Sequence, residues 1–272
     1  MRWIVATVVS TVVLVLVVFK LFEDGMTSSG YCVAQVGDRT VEVDAEQAKW
    51  ASLMAAKAFE RDLSPRAVTI AIATAYQESK LRNIDYGDRD SVGLFQQRPS
   101  QGWGTVEQIM DPRYSIGKFY DALVKVDGYE SMEITDAAQA VQRSGFPEAY
   151  ADHEADARVL ASALRGYSPA ALACATDPEA GTTTDLESYL DEAWGRVRVD
   201  SDPSSGQSSI VLSGEDIGVR GWALSQFLVA NSTEFGISEV AFDDMRWEAG
   251  QEDPGWEPTE DASRTRITFR RG

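Results

Sequence analysis

Histidine and cysteine are almost missing from this 272-residue chain: His153 stands alone, and Cys32 and Cys174 are the two cysteines. Zinc and haem centres draw on sets of His, Cys and carboxylate ligands. The composition therefore supports no zinc or haem site, and no cofactor is expected. Basic residues are also scarce, 25 against 43 acidic, for a net charge of −18, with the excess concentrated after Ala175. Attraction to a phosphate backbone requires the opposite sign, which sets nucleic-acid binding aside. Bulk affinity for anionic lipid or anionic wall polymers is disfavoured for the same reason. What is present, 44% hydrophobic and 25% charged residues, describes a globular body without internal repeats.

The first 22 residues differ in kind. Trp3 to Phe19 carries no charge and is rich in Val and Leu, with Arg2 before it and Lys20 after. At ~1.5 Å per residue the run spans roughly 25 Å, enough for a bilayer core. A cleaved secretion signal is the alternative, but no small-residue cleavage site follows the run. The sequence thus predicts a transmembrane signal anchor over 1–22 and a spacer over 23–30, with the body outside the cell membrane, on its cell-wall side. Two cysteines in an oxidising compartment suit a Cys32–Cys174 disulfide, against two unrelated buried thiols.

Beyond the spacer, Tyr31 to Val43 reads as a small strand or hairpin arm around Gly37-Asp38. Asp44 with Gln47 is a helix N-cap pair, and Ser64-Pro65 opens a second helix. Residues 83–97 read as a turn-rich β segment, and helices resume near Asp111-Pro112, Thr135-Asp136 and Pro147. Residues 175–184 form a linker by composition. Past it, a helix is expected from about Asp185 to Trp194, a strand at Ile210–Leu212, a helix over Gly218–Phe235, and strands at Ser238–Phe242 and Arg266–Phe269. The expected fold class is α+β: an N-terminal transmembrane helix, a mainly α-helical domain with a small β segment over 31–174, the linker, and a small α/β domain over 185–272.

The helix that opens at Ser64-Pro65 is apolar around most of its circumference and ends at Glu78. A helix of that kind is buried, and a carboxyl group at its end is partly desolvated, which raises its pKa as a general acid requires. Asp85, Asp88 and Asp90 follow in the next segment, and glycosidases commonly pair two carboxyl groups across the scissile bond. The plainer reading makes Glu78 a structural helix-end residue and the aspartates turn formers.

Glu78-Ser79, then Gly87-Asp88-Arg89, then Gly93-Leu94-Phe95-Gln96, together resemble the catalytic region of goose-type lysozymes and soluble lytic transglycosylases. The likeness runs from about Val43 to Arg165, with Asp111-Pro112, Ser115-Ile116 and Ala140-Val141-Gln142-Arg143-Ser144 as looser correspondences. The resemblance implies cleavage of the β-1,4 bond between MurNAc and GlcNAc in peptidoglycan glycan strands, with Glu78 as acid and then base. Ser79 would orient Glu78, Gly93 would allow close backbone approach, and Gln96, Gln142 and Tyr150 would contact substrate or the acid. Trp103 could stack on a sugar or anchor a loop, and Arg98 could meet a peptide carboxylate. The sequence departs from the family pattern in a shorter turn after Asp88 and in Arg98, which stands where a second aspartate is usual. Only Asp88 or Asp90 could then activate water, so hydrolysis and transglycosylation both stay open.

Gly221-Trp222-Ala223-Leu224, Val229-Ala230-Asn231, Gly236-Ile237, Val240-Ala241-Phe242 and Gly255-Trp256 resemble the C-terminal domain of certain actinobacterial exported proteins related to wall zinc peptidases. Their His-x-His strand corresponds here to Thr265-Arg266-Ile267-Thr268-Phe269, which has no histidine. The competing function is a non-catalytic envelope protein that binds glycan or serves as a scaffold. Protein partners are not legible.

Overall fold

The computed structural model describes residues 30–143, 147–177 and 185–272. The expected anchor over 1–22 and nearly all of the spacer lie outside them, as does most of the 175–184 linker. Strands β1 (Tyr31–Val36) and β2 (Arg39–Asp44) form a hairpin, with Gly37 at φ +63° in its two-residue turn. β3 (Leu172–Ala175) pairs antiparallel with the other edge of β1, placing Cys174 directly opposite Cys32. The two cysteines form the expected disulfide and are fully buried. A bridge that closes so long a loop stabilises by about 2–5 kcal/mol. The Cys32→Ala/Cys174→Ala pair should lower the urea midpoint accordingly, and unchanged midpoints would contradict it.

Helix α1 (Ala45–Glu60) starts at a complete capping box: Gln47 N–H donates to Asp44 at 2.9 Å, and Asp44 N–H to the Gln47 side chain at 3.0 Å. Helix α2 (Pro65–Ser79) follows, and every residue from Ala67 to Ala75 is buried. Around it stand α1, α4 (Pro112–Leu123), α5 (Ile134–Gln142) and α6 (Glu154–Leu164), with the short α3 (Val106–Met110) beside α4. The all-round apolar sequence of α2 reflects that central position. The expected helix at Pro147 begins as a 3-10 segment, Pro147–His153, that leads into α6.

The C-terminal part holds α7 (Leu186–Trp194), α8 (Ile217–Ala230) and α9 (Ser232–Phe235). Its six-stranded antiparallel sheet also contains β4 (Val199–Asp202), β5 (Gln207–Val211), β6 (Ile237–Phe242), β7 (Met245–Glu248), β8 (Trp256–Pro258) and β9 (Arg266–Arg271), in the order β4-β5-β9-β6-β7-β8. Gly221 of α8 lies where a Cβ would clash with the Phe242 ring, so the helix sits close on the sheet. Its opposite side packs on α1, α6 and β3, which is why Gly221–Ala230 is buried throughout. A contiguous hydrophobic core runs through both parts of the chain.

Polar side chains complete that junction. The free edge of β3 is met from the C-terminal part: Gln226 accepts from Leu172 N–H at 2.7 Å, and Trp256 donates to Leu172 O at 2.8 Å. Trp247 donates to Cys174 O at 3.1 Å, and Gly250 N–H to Thr176 O at 2.9 Å. A buried strand edge left open would carry unpaired amide groups. Asn231 adds a bond to Ser52 of α1 at 2.9 Å.

The expected fold class needs correction in three respects. Among the described residues nine α-helices and two antiparallel sheets make an α+β fold, and no helix is long and apolar enough to cross a membrane. The longest, α1, has 16 residues and carries Glu46, Lys49 and Lys57, whereas a span needs ~20 mainly apolar ones. Residues 83–97 are not a β segment. They hold one bridge, Val92 with Gln97, because positive φ at Arg89, Gly93 and Gln96 keeps turning the chain. The small β sheet of the first part is instead β2-β1-β3. The C-terminal part has no parallel pairing, since every strand in its sheet meets its neighbours antiparallel.

Candidate functional site

Helix α2 ends without a glycine. Lys80 and Leu81 both adopt positive φ, 59° and 57°, and Leu81 N–H returns to Ala75 O at 3.0 Å. That closure resembles a Schellman ending, built here on two residues that find the left-handed region costly. Leu81 is fully buried, so core packing holds the strained ending in place. Glu78 is thereby fixed in the last turn, half-buried.

Three segments meet at this point. Gly93-Leu94-Phe95-Gln96 forms a tight loop closed by Val92 and Gln97, whose N–H and C=O groups exchange bonds of 3.0 Å. Leu94 and Phe95 are fully buried, and Phe95 stacks on Phe119 at 4.4 Å. The loop's carbonyls receive the two helix ends. Ser79 Oγ donates to Leu94 O at 2.8 Å, and Gln142 Nε2 to Phe95 O at 2.7 Å. Tyr150 is buried and donates to Glu78 Oε1 at 2.7 Å. Gln142 is a second hydrogen-bonding partner of the carboxyl group.

Burial raises the Glu78 carboxyl above its ordinary value of 4.5, while the bonds from Tyr150 and Gln142 favour the charged form and hold part of that rise back. The carbonyl end of the helix acts in the same direction as burial. The group is thus kept protonated above the usual carboxylate range, yet has two donors ready for the anion.

The other expected site residues take varied places. Ser79 bonds backbone at Ala75 O and Leu94 O and receives Arg82 N–H, so it fastens the helix end to the loop. Gly93 has φ +80°, and a Cβ there would press on Ile109 O at 3.0 Å; neighbouring protein already fills that space. Gln96 turns its amide to Tyr86 O at 3.2 Å. Asp88 is exposed and near Arg89, 3.8 Å away. Asp90 clamps its own loop. It accepts from Ser100 N–H at 2.8 Å, Arg98 Nε at 2.8 Å and Ser100 Oγ at 3.0 Å, and these bonds hold its carboxyl well below the usual range. Arg98 is paired internally by the same contact. Asp85 is exposed. His153 stacks on Tyr76 at 5.5 Å and bonds Gln77 at 3.1 Å, so it faces protein more than solvent.

Trp103 is partly buried, and Tyr114 donates to its carbonyl at 3.1 Å. Its side chain also lines an open groove of about 690 Å³ together with Lys125, Val126, Val141, Gln142 and Arg143. Gln142 therefore belongs both to the groove wall and to the Glu78 cluster. Lys125 and Arg143 were not among the expected site residues; the sequence signal was a cation directly after Gln142 at a helix end. Among the described residues, no three His, Cys, Asp or Glu side chains gather as a metal site. No protein-family model matches the chain, and no curated protein matches it.

Proposed function

We propose that this protein cleaves the β-1,4 bond between MurNAc and GlcNAc in peptidoglycan, with Glu78 as the single acid and base. The observation that carries the reading is the half-buried Glu78 carboxyl at a helix end, raised by burial and contacted by Tyr150 and by Gln142, which also lines the groove. Protonated Glu78 gives its proton to the glycosidic oxygen as the C1–O bond breaks. The resulting carboxylate, steadied by Tyr150 and Gln142, takes the proton of the muramyl 6-hydroxyl as that oxygen bonds C1, leaving a 1,6-anhydro end. Trp103 offers an aromatic wall to a sugar ring. The buried disulfide supports action in an oxidising compartment outside the cytoplasm.

The ties of Asp90 favour this route over hydrolysis with Asp90 as the base, because an inverting hydrolase needs a free carboxylate to activate water; Asp88, the other candidate, lies exposed beside Arg89. Asp90→Asn should keep cleavage within about tenfold of wild type and still yield anhydro products, whereas loss of a general base costs about 10²–10⁴-fold. Mass analysis of released muropeptides checks this. Reducing ends, abolished by Asp90→Asn, would replace the single-carboxylate mechanism with hydrolysis.

A further inference from the structure

The groove beside the Glu78 cluster carries two cations that fold stability does not explain. Many basic groups in this chain are spoken for: Arg39, Lys49, Arg61, Arg82, Arg98 and Arg113 each meet a carboxylate. Lys125 and Arg143 form no ion pair among the described residues, and both are exposed on the groove wall. Each follows a helix C-terminus, where a cation suits the helix dipole. The dipole does not explain why arginine occupies position 143. Arg143 caps α5 at φ +53°, a conformation glycine or asparagine adopts more cheaply. Backbone strain retained beside a candidate site is a reason to look for function in the side chain.

Its neighbours indicate what the side chain would meet. Gln142, the preceding residue, contacts both Glu78 and Phe95 O. Trp103 and Val126 give the groove an apolar surface, and Lys125 and Arg143 supply donors for an anion. In a chain of net charge −18, two cations on one groove with no ion pair among the described residues form a local exception to the surrounding field. The muramyl sugar carries, on its lactyl ether, the stem peptide with its carboxylates. It is also the sugar whose C1 bond the proposed reaction breaks.

We propose that Lys125 and Arg143 bind a stem-peptide carboxylate of the substrate, so that the protein selects peptide-bearing glycan over stripped glycan; this rests on the glycan-cleaving reading above. The contact is exposed and weakens with salt.

The test uses the full-length protein and measures binding by calorimetry. One probe is a GlcNAc–MurNAc disaccharide with a stem peptide bearing free carboxylates; the other is the same compound with those carboxylates amidated. Wild type should bind the free-carboxylate form about tenfold tighter or more, a difference of the size two charge-assisted contacts provide. The Lys125→Gln/Arg143→Gly variant should bind both forms equally, at the affinity wild type has for the amidated one. Glycine suits the positive φ at 143, so this variant keeps its fold, and a melting temperature no lower than that of wild type confirms it. Equal binding of the two forms by wild type, or a preference that survives the double substitution, overturns the carboxylate site and leaves the glycan reading standing. Failure of both forms to bind overturns the two together.

Discussion

Glu78→Gln should abolish glycan cleavage and yet melt at a higher temperature than wild type at pH 7. The loss of activity follows from removing the proposed acid, worth about 10²–10⁴-fold or more where one group acts twice. The gain in stability follows from linkage. Burial raises the Glu78 carboxyl above 4.5 in the folded chain, so above that pH the folded state holds a proton the unfolded state has released. Stability therefore falls as pH rises from 4.5 towards the folded-state value. Glutamine has no proton to lose, and it can still accept from Tyr150. Near pH 4 the two proteins should melt alike, and the advantage of the glutamine variant should open as pH rises to 7. Melting curves across that range check the claim. A difference that stays flat, or that favours wild type at pH 7, would mean the carboxyl group is not held protonated.

Trp247→Ala carries the largest expected loss of stability. The indole is fully buried and donates to Cys174 O, the carbonyl of a disulfide residue on the free edge of β3. Truncating a buried tryptophan costs about 3–5 kcal/mol, and the orphaned carbonyl adds to it. For a chain of this size the melting temperature should fall by about 10 °C. Trp247→Phe separates the two causes, since it keeps most of the packing and removes the bond. It should cost about 1–3 kcal/mol, the penalty of an unsatisfied buried acceptor. Thermal unfolding of the three proteins measures both. If Trp247→Ala unfolds within a degree or two of wild type, the C-terminal sheet does not seal β3 as described.

The parts of this architecture that rest on local pattern were legible in the sequence. The apolar circumference of α2 placed Glu78 at the end of a buried helix, Asp44 and Gln47 marked the start of α1, and Gly37-Asp38 marked the first hairpin. The parts that rest on distant partners were not. Leu172–Ala175 is four residues long, and β1 on one side and Gln226 with two indoles on the other make it a strand. The β6–β7 hairpin turns on Asp243-Asp244, both at positive φ, where the familiar signal would be Asn-Gly. At the site, Glu78 and Tyr150 could be paired from the motif resemblance, and they do touch. Asp90 looked available because its partner Ser100 lies ten residues on, and nothing local announces that bond. The all-round apolarity of α8 carried the sign of a second packing surface, and the first part of the chain provides it.

The most direct test of the central claim is to incubate purified wild-type and Glu78→Gln full-length protein with peptidoglycan and weigh the released muropeptides by mass spectrometry. The account predicts products with 1,6-anhydro ends from wild type and none above background from Glu78→Gln. Release by Glu78→Gln at the wild-type level, or no release by folded wild type, would contradict it.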